Sequence, residues 1–268
     1  MNPRKEKHYI LYFFHNWLNQ RSIIFVDCKT IINDSNTIIV IKQIKLNIPE
    51  CNFIRDPQET KLGNSILDEA VGLIYEIGFE AFTFKKLAQR IGTTEASVYR
   101  YFENKYQLLL YLDSLYWGWM NYKITLATHH LVNEEDKIKT AIGILIEENN
   151  LDNDITGMNQ HKLIRIVQQE GIKSMLSKNV DDVNKTGAFQ NYKLLVARIC
   201  DWIKIVRPDF EQPNMLVTTI IEAAHIQHFF AEHLPSLTNA KKGNKNVENF
   251  LFKLLNEQLF NRSNLKKS

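Results

Sequence analysis

The sequence predicts an all-α protein: an N-terminal three-helix domain with a helix-turn-helix, followed by a C-terminal helical domain. Three observations predict it. From Asp56 onward, apolar residues recur at helical spacing. Two short amphipathic stretches between Thr83 and Phe102 meet at Gly92-Thr93-Thr94. Beyond them, Asn and Asp clusters at 149–154 and 179–184, with Pro208, Pro213 and Pro235, cut the chain into long helical patterns.

Each element has its own signals. Asp56-Pro57-Gln58-Glu59 reads as a helix start, with Asp as cap, Pro at the first helical position and Glu positioned to complete a capping box. Ile66, Ala70, Leu73, Ile74 and Ile77 then form one stripe, and Gly78 closes the helix. Thr83 caps a second helix whose inward face is Phe84, Leu87, Ala88 and Ile91. Glu95 to Phe102 forms the next, with Val98 and Phe102 inward. Asn104, with Gln107 three positions on, caps a longer helix bearing Leu108, Leu109, Leu112, Leu115, Tyr116 and Trp119. Further helical patterns cover 137–149, 159–177, 187–206, 214–233 and 246–261. The expected domains are an N-terminal extension of unknown role (1–55), a helix-turn-helix domain (56–108) and a helical domain (109–262).

Residues 1–50 read differently. The β-branched runs Ile23 to Val26 and Thr37 to Ile41, separated by Asn33-Asp34-Ser35-Asn36, suit a hairpin, yet nothing after them resembles a strand partner. Two readings stand side by side: a small appendage, or upstream sequence translated from a start other than the native one. Arg4, Lys5 and Lys7 before the apolar run Tyr9 to Phe14 imitate a leader. The run breaks at His15 and Asn16 with no small-residue cleavage site, so no secretory signal is assigned.

Composition narrows the function classes. The 268 residues are 44% hydrophobic and 24% charged, which suits a globular protein rather than a disordered one. No apolar stretch is long enough to span a bilayer. Cys28, Cys51 and Cys200 form no CxxC pair and no zinc spacing, which fits a reducing cytoplasm. No phosphate-cradling glycine loop, GxSxG or HExxH is present, so neither an enzyme nor a cofactor is expected. His225, His228 and His233 share a late helix, but a metal site needs further ligands and none is assigned.

A net charge of +3 advertises no polyanion partner by itself, so distribution decides. Between Thr83 and Lys105, Lys85, Lys86, Arg90, Arg100 and Lys105 oppose only Glu95 and Glu103. The preceding helix is acidic, with Asp68, Glu69, Glu76 and Glu80. The second helix of a helix-turn-helix enters the DNA major groove. Here Val98 and Phe102 anchor it, leaving Glu95, Ala96, Ser97, Tyr99, Arg100 and Tyr101 for its outer face and flanks. Small residues allow close approach, Arg donates twice to guanine, and Ser or Tyr hydroxyls bond phosphate oxygens. Lys105, at a helix N-terminus, favours a phosphate. Glu95 serves either the helix dipole or a cytosine amino group. For Tyr99 and Tyr101, core packing and phosphate contact both remain open.

The run from Phe82 to Lys105 contains Val98-Tyr99-Arg100-Tyr101-Phe102-Glu103-Asn104-Lys105 and is followed by Leu108-Leu109. It closely resembles the N-terminal domain of the tetracycline-repressor (TetR) family over Ile66 to Leu112. The resemblance implies a homodimeric transcriptional regulator, a repressor, that binds a palindromic operator in double-stranded DNA. A C-terminal domain then binds a small-molecule effector, of unknown identity here, and supplies the dimer interface. Effector binding shifts a population between DNA-compatible and incompatible states. By position, Lys85, Glu95, Ala96, Ser97 and Arg100 face bases or nearby backbone, and Thr83, Tyr99, Tyr101 and Lys105 contact phosphates. Ala96 stands where many relatives have glycine, and residues 1–50 have no counterpart.

In the C-terminal domain, Tyr116, Trp117, Trp119 and Tyr122 are either core or the wall of an effector pocket. The apolar helices carrying Leu195, Ile199, Trp202, Ile220, Ala224 and Phe229 are the expected dimer interface. A second class of function is an interaction module, or a protein that coats DNA without regulating genes.

Overall fold

The computed structural model describes residues 7–12, 25–33, 36–147, 159–176, 178–241 and 245–261. The turn at 34–35, Ile23 and Ile24, the whole 149–154 cluster and the tail from Arg262 lie outside the described residues.

Strands β1 (Lys7–Tyr12), β2 (Phe25–Asn33) and β3 (Asn36–Lys45) form an antiparallel sheet in that order. β2 and β3 are the hairpin the sequence suggested, with Asn33 opposite Asn36. The third strand comes before the hairpin rather than after it, pairing from Lys7↔Thr30 to Tyr12↔Phe25. Its Tyr9-Ile10-Leu11-Tyr12 core suits a strand, although in the sequence it imitates a leader. From Glu50 on, every described element is helical, so the all-α class holds for the body of the chain.

The chain divides into two compact units, Met1–Gly118 with Leu151–Ala188, and Trp119–Asn150 with Phe189–Ser268. The first contains helices α1 (Lys61–Ala81), α2 (Phe84–Arg90), α3 (Glu95–Tyr99) and the start of α4 (Lys105–Thr128). Two helices from the stretch that the sequence assigned to the second domain, α6 (Gln160–Ile166) and α7 (Ile172–Met175), join it, and α6 packs on α1. A widened π turn, Val167–Gly171, links them. α8 (Val180–Lys185) follows. The second unit packs α5 (Glu134–Ile146), α9 (Gln190–Val206), α10 (Pro213–His233) and α11 (Asn246–Leu259).

The helix start at Asp56 takes a different form from the one expected. Asp56 caps a short 3-10 turn, Pro57–Glu59, accepting from Gln58 N at 3.0 Å. Thr60 then caps α1, accepting from Gly63 N at 2.9 Å. Glu59 pairs with Lys45 at 3.0 Å instead of closing a capping box. The 3-10 turn crosses so close to α1 that a Cβ on Gly63 would lie 2.2 Å from the Pro57 carbonyl oxygen. That oxygen is backbone and cannot swing aside. Gly63→Ala is therefore expected to cost about 1–3 kcal/mol, read as a lower urea midpoint at unchanged slope. α1 breaks at Gly78, whose φ is +77°, where the sequence placed its end.

Residues 45–55 are part of the helical packing. Leu46 and Ile48 are buried at 1% and 5% exposure. The Gln58 amide pairs with both backbone groups of Leu46, accepting from its N–H at 3.0 Å and donating to its carbonyl at 2.9 Å. Asn52, fully buried, donates to the carbonyls of Ala188 (3.2 Å) and Leu110 (3.4 Å). Phe53 meets Tyr111 edge-on. Burial, reinforced by the Asp56 carboxylate, holds the Tyr111 phenol well above its usual acidity range. The packed domain thus reaches back to Lys45 rather than beginning at Asp56.

Candidate nucleic-acid interface

The helix-turn-helix is built as its residues predict. Thr83 caps α2, accepting from Lys86 N at 3.2 Å. Phe84, Leu87 and Ala88 are buried beneath it. Gly92 makes the turn at φ +67°, a conformation that costs a residue with Cβ about 1–2 kcal/mol. α3 is shorter than expected, ending at Tyr99. Arg100 and Tyr101 follow in a turn, with Val98 and Phe102 fully buried. Asn104 caps α4, accepting from Gln107 N at 3.0 Å. The Gln107 side chain reaches back to accept from Glu103 N at 2.7 Å, a near relative of the capping box.

The candidate contact residues separate by exposure. Thr83, Lys85, Ala96, Tyr99 and Arg100 are exposed, Glu95, Ser97 and Lys105 are half-buried, and Tyr101 is buried. Tyr99 stands edge-on against Phe84, with centroids 5.1 Å apart. Arg100 Nη2 donates to Ser97 Oγ at 3.3 Å, and Ser97 Oγ lies 2.9 Å from Thr94 Oγ1. Thr94 thus adds a hydroxyl to this edge that the sequence reading did not single out. Thr83 Oγ1 accepts from α2, so its own proton remains for an outside acceptor.

Two candidates are corrected. Tyr101 is 3% exposed and its hydroxyl lies 2.7 Å from Thr60 Oγ1. Its carbonyl accepts from Ile54 N at 2.8 Å, and the Arg55 guanidinium lies 5.8 Å from its ring centre. Tyr101 is therefore a core tyrosine that ties α3 to the 45–60 segment, and phosphate contact is not open to it. Lys105 Nζ donates to the carbonyls of Phe79 and Glu80, both at 3.1 Å, and sits over the Phe79 ring. Its charge closes the end of α1, where exposed carbonyls favour a cation, so it serves the scaffold before any phosphate. Ile54, Arg55 and Thr60 are positioning residues that the sequence reading missed. The Asp-Pro signal drew attention to a helix start and away from what the segment crosses.

The basic surplus is also redistributed. Arg90 donates to Glu69 at 2.6 Å and to both Glu76 oxygens at 2.5 and 2.8 Å. The Arg90 guanidinium holds the Glu76 carboxyl below its usual range. Arg90 therefore fastens α2 to α1, and Lys86 Nζ donates to the Ala81 carbonyl at 2.8 Å. Lys85 and Arg100 are the candidate cations that remain exposed without such a carbonyl or carboxylate partner among the described residues.

The candidates beyond the helix-turn-helix fall differently. Tyr116, Trp117, Trp119 and Tyr122 are all buried at 7% exposure or less. Tyr116 and Trp117 belong to the first unit, Trp119 and Tyr122 to the second. Trp117 Nε1 donates to Asp113 Oδ1 at 3.2 Å, whereas the buried Trp119 Nε1 meets no acceptor among the described residues. The expected dimer residues need correction. Leu195, Ile199, Ile220 and Ala224 are at most 1% exposed within one chain, because they pack α9 against α5 and α10. Trp202 and Phe229 are half-buried. Burial pushes the Cys200 thiol up to about 11, which makes it a poor thiolate. Among the described residues no helix is long and apolar enough to cross a membrane, and no cluster of metal-ligating side chains occurs.

Comparison with known proteins agrees with this geometry. Residues 66–112 match the profile of bacterial regulatory proteins, tetR family. No curated protein matches the chain. Among solved structures, a putative transcriptional regulator from Saccharomonospora viridis in complex with choline is 14% identical. It covers 75% of this chain and 98% of its own at a TM-score of 0.54. The fatty acid degradation regulator FadR from Bacillus halodurans is 20% identical, covering 73% and 90% at a TM-score of 0.48. The TetR family regulator PfmR from Thermus thermophilus is 16% identical, covering 72% and 96% at 0.47. Residues 66–112 coincide with α1 to α3 and the start of α4, so the helix-turn-helix region of this chain is similar to the N-terminal domain of the tetR family of bacterial regulatory proteins.

Proposed function

We propose that the chain is a homodimeric transcriptional repressor that binds a palindromic operator and is released from it by a small-molecule effector, in a cytoplasmic setting. The observation that supports this best is the exposed set Thr83, Lys85, Ala96, Tyr99 and Arg100, held on a base fixed by Val98, Phe102 and Tyr101. Glu95 and Ser97 flank that set as further base-side candidates. Selection from a random duplex pool tests the reading. The expected product is a two-fold symmetric site with half-sites about 10–10.5 bp apart, or a multiple of that. A pool that emerges without a shared sequence would instead favour a DNA-coating or protein-interaction module.

The dimer contact is assigned to the outward faces of α9 and α10. Ile205, Met215 and Ile226 are exposed there, with Trp202, Phe229 and Phe230 half-buried beside them. Ile226→Lys is expected to shift the protein from dimer to monomer in sedimentation. The helical content should stay unchanged, because the substituted side chain faces solvent within one chain. For the effector, the unpartnered Trp119 Nε1 favours the second-unit end of the aromatic group, since a buried N–H without an acceptor costs about 1–3 kcal/mol and a bound ligand relieves it.

A further inference from the structure

The second unit holds a cation with one edge anchored and the other open. Arg198, on α9, is half-buried. Its Nη1 donates to Thr125 Oγ1 at 2.6 Å and to the Asn121 carbonyl at 3.3 Å. Thr125 in turn donates its hydroxyl proton to that same carbonyl at 2.7 Å, so its oxygen faces Arg198 as an acceptor. Asn121 Nδ2 donates to the Asn191 carbonyl at 2.9 Å, bracing α4 against α9. The guanidinium is thereby fixed in orientation before any ligand arrives. Its Nε–H and Nη2–H bonds meet no acceptor among the described residues, and no carboxylate pairs with it there. Burial lowers its pKa from the usual guanidinium range, with no acidic side chain acting to raise it. Partial burial without a counter-charge leaves this cation less well solvated than a surface arginine, and its free edge has the fork geometry that matches two oxygens of one anion.

We propose that Arg198 is the anchor of an effector site for an organic carboxylate, with Thr125 and the Asn121 carbonyl as its positioning groups. This rests on the effector-responsive reading above and names the chemistry of the effector. The preorganised fork accepts a carboxylate in two parallel hydrogen bonds and pairs its charge at the same time. A neutral analogue of the same chain length leaves the edge unpaired.

Calorimetry on the full chain without DNA tests it, so a failure of operator recognition cannot be mistaken for a failure here. The probes are sodium salts of straight-chain carboxylates from two to twelve carbons, the alcohols of matching length, and the matching alkyl phosphates. Saturable binding of at least one carboxylate is expected, with its alcohol about 10- to 100-fold weaker. Arg198→Gln is expected to lose a similar factor, and Arg198→Lys to recover only part of it because it lacks the fork. In the ligand-free state, Arg198→Leu is expected to leave the melting midpoint unchanged or raised, since it removes an uncompensated charge. Equal affinity for acid and alcohol, undiminished binding by Arg198→Gln, or no binding by any carboxylate would overturn the proposal. Binding of alkyl phosphates alone would overturn the carboxylate assignment. A ligand-free midpoint several degrees lower in Arg198→Leu would make Arg198 a structural brace and overturn its role as an open anchor.

Discussion

A chain that begins at Asp56 is expected to be less stable in its first unit by about 3–6 kcal/mol than one that begins at Lys45. Truncation at Asp56 removes Leu46 and Ile48, each almost wholly buried and each worth about 1.5–3 kcal/mol of apolar burial. It also removes Asn52, leaving the Leu110 and Ala188 carbonyls without their donor, and Ile54, whose N–H holds Tyr101. Against a typical domain stability of about 5–15 kcal/mol, the loss is large. Hydrogen exchange reads it locally: amides of α3 and early α4 are expected to lose protection in the shorter chain and keep it in the longer one. Equal protection in both would mean that the 45–55 segment only lies against the domain.

Arg100→Ala is expected to weaken binding to the selected duplex by about 1–3 kcal/mol and to relax the sequence preference at one position per half-site. Arg100 is exposed directly after α3, steadied by Ser97, and bidentate donation to guanine is the contact its chemistry suits best. Lysine cannot reproduce that fork, so Arg100→Lys should recover affinity without recovering specificity. Tyr101→Phe supplies the contrast. It removes the hydroxyl bonded to Thr60 but no group that faces DNA. Stability should fall by about 0.5–1.5 kcal/mol, with the sequence preference unchanged. A changed preference in Tyr101→Phe would return this residue to the DNA contacts.

The helix-turn-helix was legible because its signals are local. Thr83 and Asn104 are caps that act within one turn, Gly92 is a turn glycine, and Val98 and Phe102 mark the buried side by spacing alone. The positions that misled depend on distant partners. Nothing next to Tyr101 announces Thr60, some forty residues earlier. Nothing around Lys105 announces the carbonyls of Phe79 and Glu80. Arg90 counts as a surface cation until α1 brings Glu69 and Glu76 beside it. Four of the dimer candidates are buried for a related reason. Leu195, Ile199, Ile220 and Ala224 are the most apolar stripe of their helices, and that stripe is claimed first by the chain's own core. The dimer contact proposed above therefore uses the neighbouring face, where apolar and polar residues mix. β1 was missed because six residues of mixed basic, aromatic and aliphatic type fit both a leader and an edge strand.

The most direct test of the reading head is titration of the selected duplex, against a scrambled duplex of equal composition, across a range of salt concentrations. The selected duplex should bind at least about a thousandfold more tightly than the scrambled one at physiological salt. Both affinities should fall as salt rises, because phosphate contacts release counterions. Equal affinity for the two duplexes at every salt concentration would contradict base readout by α3 and its flanks.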